Sequence, residues 1–376
     1  RMRAWRVHAY GAPPSELRLD AARVPPLRAP DEILVRVHTA SVNPLDVAMI
    51  GGYGRSVLNA MRALEAGAGG VEFPLVVGRD FVGEVERAGA ASRLRRGARV
   101  WGVVPPHWPG SHAEYVVVKD RWAGAAPAAL GAEAGGALYA ALTACSALRA
   151  AGLAGGAGRG RRVLVLGLGG VGGAAVRLLA AGGAHVVVGA GADAGPRALA
   201  AGAHVALDRH APDYSDRLVA EGPYEAIIDC AGLGGAEAGA RPWKFSRYVT
   251  LSSPLLRETD ARGVWAGAAA AALQLARQCA AAARATPAAA PAAAAPAPAV
   301  APRCLPAHVR WAYFMPSEDD IELLRRRAES GQFAVEVQRV YGWWQAREAL
   351  ARQAAGHARG KLLLDFTAAQ PPEPAR

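Results

Sequence analysis

Residues 163–176 read Val163-Leu-Val-Leu-Gly-Leu-Gly-Gly-Val-Gly-Gly-Ala-Ala-Val176. Four apolar residues run into a glycine cluster, and the cluster runs into an alanine-rich stretch. Gly167-Leu-Gly169-Gly170-Val171-Gly172 satisfies the pattern G-x-G-x-x-G. With 44 glycines in 376 residues, that spacing alone carries little. Its setting carries more. A strand-like run ends at Leu166, a helix follows with Val171, Ala175, Leu178 and Leu179 on one face, and a second strand begins at His185. A turn in that setting lets bare backbone N–H groups approach a pyrophosphate, with the helix N-terminus directed at its charge. The competing reading is a turn whose glycines serve only close helix–strand packing.

The pattern around the turn is periodic. Val163–Leu166, His185–Val188, His204–Leu207, Glu225–Asp229 and Arg247–Leu251 read as strands. Gly173–Ala181, Pro196–Ala201 and Tyr214–Ala220 read as helices between them. Strand and helix alternating at this pace imply a doubly wound parallel sheet. The first third is different. Glu32–His38 alternates, with Ile33, Val35 and Val37 on one face and Arg36 and His38 on the other. Phe81–Val85, Arg99–Val104 and His112–Val118 are similar short runs separated by Gly, Pro and Asp, which suggests a small antiparallel barrel-like domain. Residues 281–302 are low-complexity Ala/Pro sequence, with prolines at 287, 291, 296, 298 and 302, and are expected to form a disordered inserted loop. Beyond it, Ser317–Ser330 reads as a helix capped by Ser317 with Asp320, Lys361–Phe366 as a strand, and the Pro-rich tail from Ala368 as loose. Trp343 and Trp344 precede a helical stretch and read as packing anchors.

The chain carries a net charge of +11 and a pI near 10.0. Nucleic acid, an anionic surface or substrate, and a merely solvated face compete to explain that charge. The arginines are scattered, apart from short clusters such as Arg93, Arg95, Arg96 and Arg99, and no basic run alternates with aromatics. No nucleic-acid partner is expected. Cys145, Cys230, Cys279 and Cys304 are far apart and form no CxxC pair, unlike a disulfide framework. The most apolar run, Ala266–Ala283, is interrupted by Gln274, Arg277 and Gln278 and does not read as membrane-spanning. The sequence begins Arg1-Met2-Arg3, which fits removal of an upstream presequence, although an expression boundary would look the same.

The end of the second strand bears on which dinucleotide binds. An NAD site wants a carboxylate there for the ribose 2′-hydroxyl. The stretch here is Val188-Gly-Ala190-Gly191-Ala192, with no acid at its tip. Asp193 reads instead as a helix N-cap ahead of Pro196. Small residues leave room for a 2′-phosphate, with Arg209 and Arg197 as candidate cations, so NADPH is favoured.

Several strings together resemble a known family. Ser41-Val-Asn-Pro-Leu-Asp46, Gly51-Gly-Tyr-Gly54, Phe73-Pro-Leu-Val-Val-Gly-Arg-Asp80, Gly83-Glu-Val85, Arg310-Trp-Ala-Tyr-Phe-Met315 and Gly356-His-Ala-Arg-Gly-Lys361 are similar to the quinone-oxidoreductase branch of the medium-chain dehydrogenase/reductases, mitochondrial members included. The resemblance implies a GroES-like β-barrel catalytic domain at 1–145, a Rossmann domain at 146–310 containing the insert, a return to the catalytic domain at 311–366 and a flexible tail at 367–376. It implies cofactor contacts at Gly169, Gly170, Val171, Ala190, Gly191, Arg209, Cys230, Leu251, Tyr313, Phe314, His357, Ala358 and Arg359, beside Gly167 and Gly172 of the turn. Three departures stand out. The glycine turn is one residue shorter and lacks the usual serine, Arg209 replaces a tyrosine, and Cys230 replaces an asparagine. Zinc-dependent relatives carry a cysteine near Asn43 and a His-Glu pair where Arg79-Asp80 stands, so no metal is expected. Ser111 and His112 read as a strand-edge polar pair, since nothing supplies a third triad member.

Asn43 and Tyr53 are the substrate-side candidates. Tyr53, in its Gly-Tyr-Gly loop, is free either to stack on a flat ring or to cap its own core. No residue is assigned as a general acid. The expected activity is NADPH-dependent hydride transfer to quinones or activated enones. The resemblance implies a mitochondrial setting, a link to coenzyme Q metabolism, a protein partner at mitochondrial membranes, and a monomer or homodimer. The rival expectations are an NADPH-bound interaction protein with little turnover and a basic RNA-associated protein.

Overall fold

The computed structural model describes residues 1–66, 72–286, 306–356 and 360–370. The chain divides into two compact units. The first comprises Arg1–Leu142, Thr259–Gly267 and the described part of Met315–Arg376. The second comprises Thr143–Glu258 and the described part of Ala268–Phe314.

The first unit opens with strands β1 (Met2–Val7), β2 (Leu17–Ala22) and β3 (Glu32–Val42). Helices α1 (Pro44–Ile50) and α2 (Arg55–Ala66) follow. Then come β4 (Leu75–Val76), β5 (Asp80–Ala88), β6 (Arg99–Val103), β7 (Tyr115–Lys119), β8 (Ala123–Ala125) and helix α3 (Leu138–Ala150), whose second half belongs to the other unit. The long β3 is central because its residues are apolar on both faces: Ile33, Leu34, Val35 and Val37 are all buried. It pairs antiparallel with β5 and with β7. The alternation read over 32–38 is the first half of this strand. Its outward residue is Arg36, which is exposed. The run that begins at His112 in the sequence becomes a strand only at Tyr115. His112 instead lies outside the ladder and accepts a bond from Trp5 N at 2.9 Å through its backbone carbonyl.

The second unit is a six-stranded sheet. Its strands are β9 (Arg162–Leu166), β10 (His185–Ala190), β11 (Val205–Asp208), β12 (Tyr224–Asp229), β13 (Phe245–Thr250) and β14 (His308–Trp311). Their spatial order is β11-β10-β9-β12-β13-β14, and every pairing is parallel. This is the doubly wound order, in which the chain reverses direction beside the first strand. The central strands β9 and β10 are apolar on both faces because helices cover both. Val163 and Val165 pack into one core and Leu164 and Leu166 into another, and β10 and β12 divide their side chains the same way. The crossover helices are α4 (Gly170–Ala181), α5 (Gly195–Ala200), α6 (Tyr214–Ala220) and the short α7 (Glu237–Ala240). Ala175 and Leu179 of α4 are buried, as their spacing requires, and Val171 and Leu178 are half-buried.

Two expectations need correction. Asp193 does not cap α5: it lies inside a 3-10 turn, Ala192–Ala194, and the residue preceding the helix is Ala194, with no side-chain cap. Pro196 does sit in the first turn of α5. The Ala/Pro loop also begins later than residue 281. After α8 (Leu255–Arg262), helix α9 runs over Val264–Ala285, so residues 281–285 are helical. Alanine is the best helix former, and nothing stops the helix before Pro287. Thr286 closes it by donating through Oγ1 to Trp243 O at 3.2 Å. The rest of the Ala/Pro stretch lies outside the described residues.

The chain then returns to the first unit. Helix α10 (Glu318–Glu329) begins with Ser317 accepting the Asp320 N–H at 3.2 Å, as its sequence predicts. Strand β15 (Val337–Gly342), helix α11 (Ala346–Ala354) and strand β16 (Lys361–Asp365) follow. β16 pairs antiparallel with β3 and parallel with β15. Trp343 is buried and its carbonyl accepts Trp5 Nε1 at 2.7 Å, an anchor role. Among the described residues no helix is long and apolar enough to cross a membrane.

Candidate functional site

In the second unit, the described cofactor candidates all follow the carboxyl end of a strand. The glycine turn follows Leu166, and Ala190 ends β10 with Gly191 behind it. Arg209 follows Asp208, Cys230 follows Asp229, and Leu251 follows Thr250. Tyr313 and Phe314 come just beyond β14. Backbone bonds continue the ladder past the strand ends and hold these residues in register: Gly167 N to Gly189 O at 2.8 Å, Arg209 N to Ala190 O at 2.7 Å, Cys230 N to Leu166 O at 2.9 Å, and Leu251 N to Asp229 O at 3.3 Å. One edge of one sheet therefore gathers them, which is where ligands of open parallel sheets bind.

The turn has two kinds of glycine. Gly167 has φ +88°, which a side chain would strain, and a Cβ there would lie 3.1 Å from the Ala231 backbone. A Cβ on Gly172 would be driven into the Gly167 carbonyl. Those two glycines are required by packing. Gly169 and Gly170 are exposed, and a Cβ on Gly169 would meet nothing within 4 Å. Packing does not explain a glycine at 169, where the bare backbone leaves room for a ligand to approach. Helix α4 starts at Gly170 with no side-chain cap. Its first N–H groups have no acceptor within the helix, so they offer donors to an anion. The residues present thus fit a dinucleotide pyrophosphate.

The neighbouring loops are built by buried polar groups. Asp229, fully buried, accepts the N–H groups of Ala231 at 3.1 Å, Leu233 at 3.2 Å and Gly234 at 2.8 Å, and the Thr250 hydroxyl at 2.8 Å. That fixes the loop after Cys230. Burial, and then the Asp229 carboxylate, push the Cys230 pKa up to about 12, which favours the protonated thiol. Arg209 is exposed, and its Nε donates to His210 Nε2 at 3.1 Å. Tyr313 is half exposed, with its hydroxyl 2.8 Å from Ser253 Oγ. His357, Ala358 and Arg359 lie outside the described residues.

In the first unit, Asn43 is buried and fully engaged. Its Oδ1 accepts Lys361 Nζ at 2.6 Å, and its Nδ2 donates to Ser41 Oγ at 3.0 Å and Asp80 Oδ1 at 3.3 Å. Asp80 also accepts the Ser41 hydroxyl and the Tyr139 N–H at 3.1 Å. Arg79 is fully buried, donates to Pro105 O at 2.9 Å, Trp108 O at 3.2 Å and Val76 O at 2.9 Å, and lies 3.6 Å from Asp46. A guanidinium bound to three carbonyls stands where zinc-dependent relatives have a ligand, and the set does not fit a zinc ion. Among the described residues no group of three or more His, Cys, Asp or Glu could hold a metal. Ser111 and His112 are buried apart from each other's chemistry: Ser111 Oγ donates to Asp80 O at 2.8 Å, and His112 Nε2 donates to Ser41 O at 2.9 Å. Sequence reasoning missed Lys361, Tyr139 and Asp229 because each acts through partners remote in sequence or through the backbone.

Tyr53 is half-buried in a loop whose two glycines, Gly52 and Gly54, have φ +87° and +79°. Its N–H donates to Ala48 O at 3.0 Å, fixing it to the end of α1.

Comparison with known proteins agrees with this arrangement. Residues 29–129 match the alcohol dehydrogenase GroES-like domain, and residues 201–364 match the zinc-binding dehydrogenase family. NAD(P)H oxidoreductase RTN4IP1, mitochondrial, of Drosophila melanogaster is 34% identical over 377 residues, covering 97% of this chain and 86% of the fly protein. The chain belongs to the medium-chain dehydrogenase/reductase family, among its RTN4IP1-like members. The human protein of the same name is 31% identical over 373 residues, covering 97% of this chain and 89% of its own. The quinone oxidoreductase of Coxiella burnetii shares the fold, with a TM-score of 0.73 at 22% identity over 97% of this chain and 99% of that one. The expected fold, a GroES-like domain with a Rossmann domain, is thus that of the family. The mitochondrial expectation agrees with the names of the fly and human relatives.

Proposed function

We propose that the chain, an oxidoreductase by its family, uses NADPH to reduce quinones or activated enones. The observation that carries this reading is the edge of the parallel sheet. There an exposed glycine turn opens an uncapped helix beside a β10 terminus with no carboxylate and an exposed Arg209. Gly167, Gly169, Gly170, Val171 and Gly172 would hold the pyrophosphate, with Ala190, Gly191 and Arg209 at the adenosine end. Cys230, Leu251, Tyr313 and Phe314 would line the remaining length. Bound there, the nicotinamide supplies a hydride. Arg209 would fork onto a 2′-phosphate, a contact that a tyrosine cannot make.

The acceptor class follows from what the first unit offers. Asn43 and Asp80 bond each other, Ser41, Lys361 and the Tyr139 N–H, and Arg79 bonds backbone carbonyls, so among the described residues this position offers the polarising cation of alcohol dehydrogenation no seat. Hydride transfer without a Lewis acid suits a conjugated, electron-poor acceptor whose anion is delocalised. Tyr53 is the proposed substrate side; Asn43, buried with both ends of its amide engaged, would act only by supporting the pocket. Catalysis then rests on proximity and orientation. A spinach relative, 33% identical over 217 residues and 56% of this chain, is named a quinone-oxidoreductase homolog, which supports the same class. The test is NADPH oxidation in the presence of a quinone panel; binding of NADPH without turnover would reject it. That outcome would favour a second reading, a dinucleotide-bound interaction protein. The name of a Caenorhabditis elegans relative, reticulon-4-interacting protein 1, supports that alternative.

A further inference from the structure

The loop that carries Tyr53 is held from far away in the sequence. Helix α2 begins immediately after it, and the first turn of α2 contains no acidic residue. The first N–H groups of any helix need acceptors from outside. Here the carboxylate of Asp260, on α8, supplies them: Gly54 N donates to Oδ2 at 2.7 Å and Ser56 N to Oδ1 at 2.9 Å. Each oxygen takes one donor, so the carboxylate spans the junction of loop and helix. A negative charge at that end also interacts favourably with the positive end of the helix dipole. Asp260 is half-buried, and its neighbour Thr259 is buried, which fixes the segment that presents it.

The loop is also held at Gly52 and Tyr53, where Tyr53 N donates to Ala48 O at 3.0 Å. Gly52 N donates to Met49 O at 3.0 Å, and a Cβ on Gly52 would lie 3.3 Å from the Tyr10 ring. Two glycines at positive φ make the loop able to turn but leave it with many conformations to lose. A bidentate carboxylate across Gly54 and Ser56 selects one of them.

We propose that Asp260 is a positioning residue for the substrate. By clamping Gly54 and Ser56 it fixes the Gly52–Tyr53–Gly54 loop, and so the aromatic face offered to the acceptor. This rests on the reading that Tyr53 faces the acceptor. Asp260 touches no reacting atom; it acts through the loop.

The experiment uses the full chain with NADPH and 1,4-benzoquinone, in wild type, Asp260→Ala, Asp260→Asn, Tyr53→Ala and the Asp260→Ala/Tyr53→Ala double variant. Hydrogen exchange of the Gly54 and Ser56 amides is followed in parallel. Loss of two charge-assisted bonds should speed exchange of both amides, and raise KM for benzoquinone, by about tenfold each. The dissociation constant of NADPH should stay unchanged. Asp260→Asn, which keeps an acceptor oxygen, should fall between wild type and Asp260→Ala. The double variant should be no worse than Tyr53→Ala, because both act on one loop. Unchanged amide exchange in Asp260→Ala would overturn the clamp. A benzoquinone KM that rises in Tyr53→Ala but not in Asp260→Ala would overturn the positioning role, as would additive effects in the double variant. If Tyr53→Ala leaves KM unchanged, the placement of Tyr53 at the acceptor fails first, and faster exchange in Asp260→Ala would then record a clamp without a substrate to position.

Discussion

Three neighbouring glycines separate a phosphate cradle from a packing turn. Substituting alanine at 172, 173 and 169 should give three different outcomes. At Gly172 the new Cβ meets the Gly167 carbonyl, whose carbon is 3.0 Å away, and backbone cannot swing aside as a side chain can. Alanine gains about 1 kcal/mol of helix propensity over glycine. Overpacking of this kind costs about 1–3 kcal/mol, and the upper end applies where backbone must move. The net is a loss of about 1–2 kcal/mol, with the turn forced open and NADPH binding weakened. At Gly173 a Cβ meets nothing within 4 Å inside the same helix, so Gly173→Ala should stabilise by about 0.4–1 kcal/mol and leave binding alone. At Gly169 a Cβ also meets nothing, and φ is −82°, ordinary for alanine. Gly169→Ala should therefore leave stability unchanged, yet put a methyl group where the pyrophosphate approaches and weaken NADPH. Urea titrations and NADPH fluorescence titrations of the three variants suffice. Wild-type NADPH affinity in Gly169→Ala would refute the cradle, because packing alone leaves that position open.

Other consequences follow from the same geometry. Arg209→Ala should weaken NADPH by about 10- to 100-fold, the worth of a charge-assisted bond, and leave NADH nearly unchanged in parallel titrations. Asp229→Ala strands three backbone N–H groups and a hydroxyl, and should cost about 3 kcal/mol or more in urea unfolding. Elemental analysis should find no stoichiometric zinc, and chelator should leave activity intact, since Arg79 fills the ligand position with its own positive charge. Burial holds the His112 pKa below its ordinary 6.5, so the unfolded chain takes up its proton first. Its contribution is complete above about pH 6.5 and is lost as the pH falls below it, and His112→Gln should flatten that part of the urea-midpoint profile.

The second unit was legible because its information is local. Five of the six strands stand out as short runs, each crossover helix begins within a few residues, and the candidates follow at the strand ends; β14, His-Val-Arg-Trp, carries no such run and went unread. The misreading of Asp193 was also local: an acid shortly before Pro196 looks like a cap, and only the 3-10 turn shows that it stops short of one. The first unit was harder. Helix α2, over Arg55–Ala66, owes its first-turn acceptors to Asp260, which no window around residue 55 contains. Lys361 reaches Asn43 across a separation of 318 residues, a pairing that no periodicity announces. Asn43 could be singled out from its string, but not its engagement on both ends of the amide.

The central claim is most directly tested by following NADPH absorbance with the purified chain against a quinone and a simple ketone in matched reactions. The account predicts rapid oxidation with the quinone, little with the ketone, and slower oxidation when NADH replaces NADPH. Equal reduction of both acceptors, or NADPH bound but never oxidised, would contradict it.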